Sequence, residues 1–297
     1  MKHLLQSVNR FSRKGKCVRW RVWATLLRLP NLFTVPGDVL VGWCLSGMRG
    51  GVPLMPMLAS LCLYAAGLLW NDCFDAKIDA KERPSRPIPS GQVSRSAVFF
   101  VACLLAGVGV LLSWSGFPVA LVLLGMILFY DMVAKHLAWI GVLTMGCCRG
   151  LNIYLGAVST WPLGETPCGP ILIWAMLFFT MYIVLVSVIA KHEANPKAKA
   201  GMKRFMAPIM TLLLLPLFLW FDRGFWWPPI VVAVMLTLFL LPRRKVPVLV
   251  AGLIRFLIPL QCVWCLAMYR EGIVGILTAF ICCYAGAKLA LRHFAGS

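Results

Sequence analysis

Long apolar runs, separated by short connections that hold most of the charge, dominate this sequence. The runs lie near 31–48, 53–72, 96–114, 117–134, 138–159, 169–190, 205–221, 226–241, 247–268 and 272–290. Of the 297 residues, 61% are hydrophobic and 13% are charged. A helix of about twenty apolar residues spans the hydrocarbon core of a bilayer. The pattern therefore predicts an all-α, polytopic transmembrane helical bundle of about nine to ten helices.

The net charge of +19 follows the same segmentation. Lys and Arg are concentrated before residue 29 and in the connections at 77–95, 191–204 and 243–245, whereas the alternate connections hold only Arg49, Arg223 and Arg270. This alternation is the positive-inside pattern, which predicts a cytosolic N-terminus and a cytosolic 71–95 loop in a protein of the cell inner membrane. Topology and attraction to anionic headgroups explain the excess charge, so we expect the lipid bilayer as a partner and no nucleic acid. Two regions are predicted, a basic cytosolic tail at 1–20 and one membrane domain at 21–297.

The cysteines do not form a metal-binding pattern. The chain has 12 of them, mostly scattered singly through apolar segments, and the one C-x-x-C spacing, Cys262 to Cys265, lies inside the apolar run at 247–268. No Cys and His spacing suits zinc. We interpret the cysteines as small, reduced packing residues.

Negative charge is concentrated in one stretch, WNDCFDAKIDAKERPSRPIPSG, at residues 70–91. Of the 10 carboxylates in the chain, Asp72, Asp75, Asp79 and Glu82 fall here, directly after an apolar run. At i, i+3 and i+7 of a helix, the three aspartates stack on one face, and Asn71 precedes Asp75 by one turn. Like charges at this spacing repel, so cations are expected among them. These cations are either the neighbouring Lys and Arg of a solvated helix end or Mg²⁺, which prefers oxygen ligands and often shares a site with substrate phosphates. As a further alternative, the acids could simply face water.

This stretch resembles the first Asp-rich motif of the UbiA superfamily of intramembrane prenyltransferases, N-D-x-x-D-x-x-x-D followed by R-P-x-R-P-[LI]-P-S-G. Every position of the motif is filled, by Asn71, Asp72, Asp75, Asp79, Arg83, Pro84, Arg86, Pro87, Ile88, Pro89, Ser90 and Gly91. The resemblance extends to RLPNLFTVPGDVLVG in the first apolar segment and to YDMVAKH after the fourth. The later helices match only in hydropathy.

The resemblance implies a bundle around a central cavity that opens to lipid and holds a polyprenyl diphosphate, with Mg²⁺ as cofactor. Metal and basic groups in a dry site would stabilise the negative charge that develops on the departing diphosphate. An unidentified acceptor would then capture the allylic carbocation that remains. Carried over by position, the implied catalytic residues are Asp72, Asp75, Tyr130 and Lys135, the metal ligands are Asp72, Asp75 and Asp79, and the substrate-binding residues include Asn31, Asn71, Arg83 and Arg86. Lys135 could instead be a lysine that merely follows the positive-inside rule, and Arg83 and Arg86 could bind anionic lipid.

Further polar residues lie inside apolar segments, where an unpaired charge is costly. Asp38, seven residues after Asn31, could pair with Arg149 or face the cavity. Arg149 and Asn152 share one helix face and are candidates for binding substrate, and the anion that Arg149 requires could be the diphosphate or Asp38. Gln261 with Arg255 raises the same question in a later segment.

The second Asp-rich motif of the family, D-x-x-x-D after the sixth segment, is missing. The stretch VIAKHEANPKAKAGMKR at 188–204 offers only Glu193 and Asn195 as oxygen ligands among several lysines. Lysines could replace a second metal on the diphosphate, Glu193 could bind substrate through a second metal, or ionisation could be lost. The altered motif also resembles the divergent EboC-like branch of bacterial secondary-metabolite export clusters. Alongside an active prenyltransferase, a prenyl-lipid-binding, scaffold or transport-linked protein therefore remains an alternative.

Overall fold

The computed structural model describes residues 20–48, 50–161, 167–191, 230–231, 233–235, 246–266 and 273–294. Within these ranges the chain is helical and contains no strand, which confirms the predicted all-α class. Two single 3-10 turns lie at Trp114–Gly116 and Ala134–His136. The helices are α1 (Leu29–Leu32), α2 (Val35–Leu45), α3 (Leu54–Glu82), α4 (Arg95–Leu112), α5 (Phe117–Met132), α6 (Ala138–Val158), α7 (Pro170–Lys191), α8 (Val246–Leu266) and α9 (Ile273–Phe294).

Seven helical segments in the described ranges, α3 to α9 with α5 extended by the 3-10 turn at Trp114–Gly116, are long and apolar enough to cross a membrane. Large apolar side chains point outward from them, with Phe100, Leu111 and Val274 each about 70% exposed. Exposed apolar surface of this extent is typical of a face that contacts lipid. The chain is thus an integral membrane protein. The segments predicted at 205–221 and 226–241 lie almost wholly outside the described residues, so the total of nine to ten helices stays a prediction.

The first predicted segment, 31–48, is not one continuous helix. It consists of the single turn α1 and the 11-residue α2, with Phe33 and Thr34 between them. Pro36 lies in the first turn of α2, and it lacks the N–H that a helix continuing from α1 would donate to the carbonyl of Leu32. At the break, the Thr34 hydroxyl donates a hydrogen bond to the carbonyl of Asn31 at 2.8 Å.

Helix α3 extends well past the apolar run at 53–72 and includes the aspartate-containing part of the motif, from Asn71 to Asp79. Its 29 residues correspond to about 43 Å at about 1.5 Å per residue. This exceeds the hydrocarbon thickness of about 30 Å. The helix ends at Glu82, and Pro84 follows after one residue, as expected because the position before a proline rarely stays helical. This part of the motif therefore occupies the last turns of α3, at one end of the bundle.

Two glycines allow α2 and α6 to pack backbone to backbone. A Cβ atom at Gly42 would collide with the Ile153 carbonyl, and one at Gly156 would collide with the backbone of Val39. Small residues at helix crossings are typical of membrane bundles, where close van der Waals packing replaces the hydrophobic drive. α2 also packs against α8, while α7 packs against α6 and α4 against α3. This arrangement buries α2 in the centre of the bundle.

Candidate active site

A cavity of about 380 Å³ lies among α3, α5, α6, α7 and α8, with the segment from Arg28 to Thr34 along one side. Most of its wall is apolar, with side chains such as Leu68, Leu123, Ile127, Ile183 and Ile254. The polar side chains of the wall come from α3, α5, α6, α7 and the segment from Arg28 to Thr34. Apolar walls with a few convergent polar groups are the usual composition of a ligand site. The predicted central cavity is therefore present.

One face of α3 forms a continuous strip of the cavity wall. Ser60, Tyr64, Gly67 and Asn71 line the cavity at i, i+4, i+7 and i+11. This spacing keeps them on the same face over about 16 Å of helix. The strip connects the Asp-rich motif, at Asn71, with the interior of the bundle, at Ser60.

Asn71 and Asp75 face the connection between α5 and α6. The Lys135 Nζ atom lies 2.6 Å from Oδ1 of Asp75 and donates a second hydrogen bond of 3.4 Å to Oδ1 of Asn71. Lys135 reaches α3 because α5 ends at Met132 and a 3-10 turn redirects the chain. Its side chain is 11% exposed, so the ion pair is largely shielded from solvent. Lys135 is therefore a largely buried lysine in an ion pair, and not a lysine exposed at the surface.

Asp72 and Asp79 face the basic loop that follows α3. Nη1 of Arg86 lies 2.6 Å from Oδ2 of Asp79 and 3.6 Å from Oδ1 of Asp72. Nη2 of Arg28 lies 3.4 Å from the same Asp72 oxygen. Both aspartates are buried. Protein cations therefore neutralise this half of the motif.

The three aspartates consequently form two groups on α3 rather than a single stack. Seven residues of helix return to within about 20° of the starting direction, whereas three residues turn the side chain by about 60°. Asp72 and Asp79 accordingly share Arg86, while Asp75 is turned toward Lys135. Over the described ranges, no three His, Cys, Asp or Glu side chains are gathered closely enough to hold a metal ion. Their carboxylate oxygens and the Asn71 amide still match the donor chemistry that Mg²⁺ prefers.

A buried polar network holds the inner end of the cavity. Oδ2 of Asp38 lies 3.0 Å from Nε of Arg149 and accepts a hydrogen bond of 2.9 Å from Asn152. Oδ1 of Asp38 accepts a hydrogen bond of 2.7 Å from Gln261. The Asp38 carboxylate is fully buried behind the wall, whereas Arg149 and Asn152 line the cavity. The structure therefore contains the Asp38–Arg149 pair. Through its hydrogen bond to Asn152 as well, Asp38 fixes the positions of Arg149 and Asn152 on the cavity wall.

Additional hydrogen bonds fix the same network on its other sides. Arg149 donates a hydrogen bond of 2.8 Å to the Thr34 hydroxyl, and Gln261 donates one of 2.8 Å to the Thr34 carbonyl. The Ser60 hydroxyl donates a hydrogen bond of 2.6 Å to Oδ1 of Asn152. The break before α2 thus exposes backbone groups that α6 and α8 satisfy.

The remaining predicted residues occupy different positions. Asn31 and Tyr130 line the cavity. Arg83 is exposed at the end of α3, away from the cavity wall. Glu193 lies outside the described residues, as does Asn195, so its assignment stays a prediction.

Several polar cavity-lining residues were not anticipated, among them Arg28, Ser60, Tyr64 and Asp131. Arg28 is hidden in sequence among the other cations of the basic tail. Ser60 and Tyr64 are uncharged residues in an apolar run, and only their helical spacing from Asn71 connects them with the motif. Asp131 could have been identified from the sequence, because a carboxylate within an apolar segment is by default a candidate functional residue.

Comparisons with known proteins give a consistent result. Residues 39–272 match the UbiA prenyltransferase family. Digeranylgeranylglyceryl phosphate synthase of Methanopyrus kandleri is 31% identical over 195 residues, which cover 64% of this chain and 69% of that protein. Proteins of the same name from Metallosphaera sedula and Pyrococcus horikoshii are 32% and 37% identical, over 45% and 37% of this chain and 50% and 43% of theirs.

Solved structures share the fold at lower identity. A digeranylgeranylglyceryl phosphate synthase has a TM-score of 0.58 at 19% identity, over 88% of this chain and 99% of that one. A UbiA homolog from Archaeoglobus fulgidus bound to DMAPP and Mg²⁺ has a TM-score of 0.53 at 13% identity, over 91% and 99%. At these identities the likeness establishes the fold of the bundle.

Proposed function

This chain belongs to the UbiA prenyltransferase family, and we propose that it transfers a polyprenyl group from a prenyl diphosphate to an acceptor within the membrane. The observation that carries the proposal is the position of the intact Asp-rich motif. Asn71 lines one end of the cavity, and the Asp75–Lys135 pair lies directly beside it. A charged diphosphate head and an apolar prenyl tail match a cavity with one charged end and apolar walls.

The charged end would bind the diphosphate. Arg28, Arg86 and Lys135 are the cations at this end, and each already contacts a motif aspartate. Asp72 and Asp75, with Asn71, would hold Mg²⁺, and Asp79 would complete the carboxylate set while it orients Arg86. Mg²⁺, when bound, would act as a Lewis acid on the phosphoryl oxygens. The protein cations would stabilise the negative charge that develops on the leaving group.

The apolar wall would bind the prenyl chain and exclude water. Leu123, Ile127 and Ile254 form part of this wall. Exclusion of water strengthens the electrostatic contacts at the diphosphate and protects an allylic carbocation from premature hydrolysis. Tyr130 lines the same cavity, and the negative face of its ring is suited to stabilise a nearby cation.

The orientation and acceptor are separate parts of the proposal. The distribution of Lys and Arg supports a cytosolic position of the Asp-rich motif in the inner membrane. The relatives named digeranylgeranylglyceryl phosphate synthase make a glyceryl phosphate lipid one acceptor to test. Aromatic acids and quinone precursors belong in the same panel.

The test is Mg²⁺-dependent binding of a prenyl diphosphate and release of diphosphate from it. Detergent-solubilised protein is incubated with geranyl and longer prenyl diphosphates, with Mg²⁺ or with EDTA. Asp72→Asn and Asp75→Asn are expected to lose release by at least about 100-fold, because metal catalysis contributes several kcal/mol. Glu82→Gln is the matched control, because it removes an exposed carboxylate from the same helix.

Either outcome distinguishes the two candidate classes. Release that requires Mg²⁺ and both aspartates identifies an active prenyltransferase. The opposite outcome is binding that depends neither on Mg²⁺ nor on the two aspartates, with no diphosphate released from a substrate of any chain length. This outcome contradicts the assignment as an enzyme and favours the prenyl-lipid-binding, scaffold or transport-linked alternative.

A further inference from the structure

Asp131 is a buried carboxylate that the proposed diphosphate site does not use. It is the penultimate residue of α5, is 2% exposed and lines the cavity next to Tyr130. Its Oδ2 atom is buried and has no hydrogen-bond partner in the part of the chain that the structure describes. A buried carboxylate oxygen without a donor is costly, so each such group calls for a missing partner.

The nearby cations are already bound to other carboxylates. Lys135 follows Asp131 by one turn in sequence, but the chain changes direction after Met132 and Lys135 bonds to Asp75 instead. Arg28, also on the cavity wall, bonds to Asp72. Asp131 is thus left with a free acceptor oxygen.

The geometry also argues against a role as a further metal ligand. Across the described ranges, Asp131 does not join two other carboxylates in a group that could hold a metal ion. A cation site needs several oxygen ligands around one point. A single hydrogen-bond donor from a ligand would satisfy Asp131 without such convergence.

We propose that Asp131 is a catalytic residue of the acceptor site, where Oδ2 accepts a hydrogen bond from the hydroxyl group of the prenyl acceptor. The inference rests on the proposed prenyl transfer and specifies the class of its acceptor. In the transfer step, the bond between C1 of the prenyl group and the diphosphate oxygen breaks, and its electron pair leaves with the diphosphate. A lone pair of the acceptor oxygen forms the new C–O bond to C1, and the hydroxyl proton passes to Asp131.

The position of Asp131 restricts the acceptor chemistry. A free carboxylate attracts a neutral O–H group and repels an oxygen that is already anionic. A ring carbon offers no donor for the carboxylate before it reacts. Among these three kinds of nucleophile, the position of Asp131 favours an alcohol or phenol hydroxyl as the reacting group, whatever the rest of the acceptor is.

Two small nucleophiles test this role without knowledge of the natural acceptor. Water has an O–H group whose proton Asp131 would accept, whereas the azide anion has no proton to lose and needs no base. The full detergent-solubilised chain is incubated with geranyl diphosphate, Mg²⁺ and sodium azide, and the alcohol and azide products and released diphosphate are quantified. Wild type is compared with Asp131→Asn, Asp131→Ala, Asp131→Glu and the control Glu82→Gln.

The proposal predicts a selective loss. Asp131→Asn and Asp131→Ala should lower the alcohol-to-azide product ratio by about 100-fold, the lower range for general-base catalysis. Formation of the azide product should not fall below the wild-type rate, because azide needs no base and both substitutions remove a charge that repels it. Asp131→Glu should restore part of the ratio, and Glu82→Gln should leave it unchanged. Two variants of different size keep the test decisive if one of them fails to fold.

Other results would overturn the assignment. An unchanged ratio, or equal loss of both products, contradicts proton acceptance by Asp131. A need for more Mg²⁺ in Asp131→Asn identifies a metal ligand instead. If the wild-type protein shows no Mg²⁺-dependent release of diphosphate, both the proposed function and the role of Asp131 are refuted. This outcome differs from failure of the Asp131 assignment alone, which appears only in the Asp131 variants.

Discussion

Nζ of Lys135 lies 2.6 Å from Oδ1 of Asp75, although 60 residues separate the two in the chain. The pair joins the last turns of α3 to the 3-10 turn after α5, and both side chains are largely shielded from solvent. Two elements thus contribute opposite charges to the same end of the cavity. Four predictions concern this end, the buried network behind it and the helix crossing that supports both.

Lys135→Met should weaken binding of geranyl diphosphate by about tenfold or more, about 1.4 kcal/mol, because a cation that would contact the diphosphate is lost. Lys135→Arg should retain more affinity because the charge is kept, though the geometry of a guanidinium differs from that of an ammonium. Binding is measured by titration calorimetry with Mg²⁺ present. Equal affinities of wild type and Lys135→Met would show that Lys135 only neutralises Asp75.

Arg28→Asn should weaken binding of geranyl diphosphate, again about tenfold (about 1.4 kcal/mol), with little change in stability. Arg28 has φ of 42°, in the left-handed region that Asn tolerates well. Its guanidinium lines the cavity and contacts Asp72, so the substitution removes charge without backbone strain. The same calorimetric titration and a thermal unfolding scan separate the two effects. A large drop in unfolding temperature would indicate a structural role.

Asp38→Asn should lower the free energy of unfolding by about 3–5 kcal/mol, because it leaves the Arg149 charge buried without its partner. The double variant Asp38→Asn/Arg149→Met should be less destabilised than the sum of the single variants, since the uncompensated charge is gone. Unfolding in detergent micelles provides the measurement. Strictly additive effects would contradict coupling through the 3.0 Å ion pair.

Gly42→Ala and Gly156→Ala should each destabilise the bundle by about 1–3 kcal/mol, because the added methyl group forces α2 and α6 apart. Gly125→Ala is the matched control. It lies in α5 with no neighbouring atom within 4 Å of a new Cβ, and it should be neutral or more stable by about 0.5–1 kcal/mol. Thermal unfolding of the three variants tests this. Equal stability of all three would exclude close packing at the α2–α6 crossing.

The sequence by itself determined the helical elements and the location of the Asp-rich motif. Apolar runs at 96–114 and 169–190 became α4 and α7 with bounds within two residues, because hydropathy over about twenty residues is a local property. It did not determine the break at Phe33 and Thr34 or the extension of α3 to Glu82, where proline geometry and local helix propensity outweigh hydropathy.

Only the tertiary structure decided which charges meet. Asp38 and Gln261 are 223 residues apart, yet they share a hydrogen bond, and Asp75 bonds to Lys135 rather than to the cations of its own loop. Local periodicity indicates which face of a helix a side chain occupies, but not which helix that face contacts. The free oxygen of Asp131 has the same origin. The packing of α3, α5 and α6 directs the neighbouring cations to other carboxylates and leaves this one on the cavity wall.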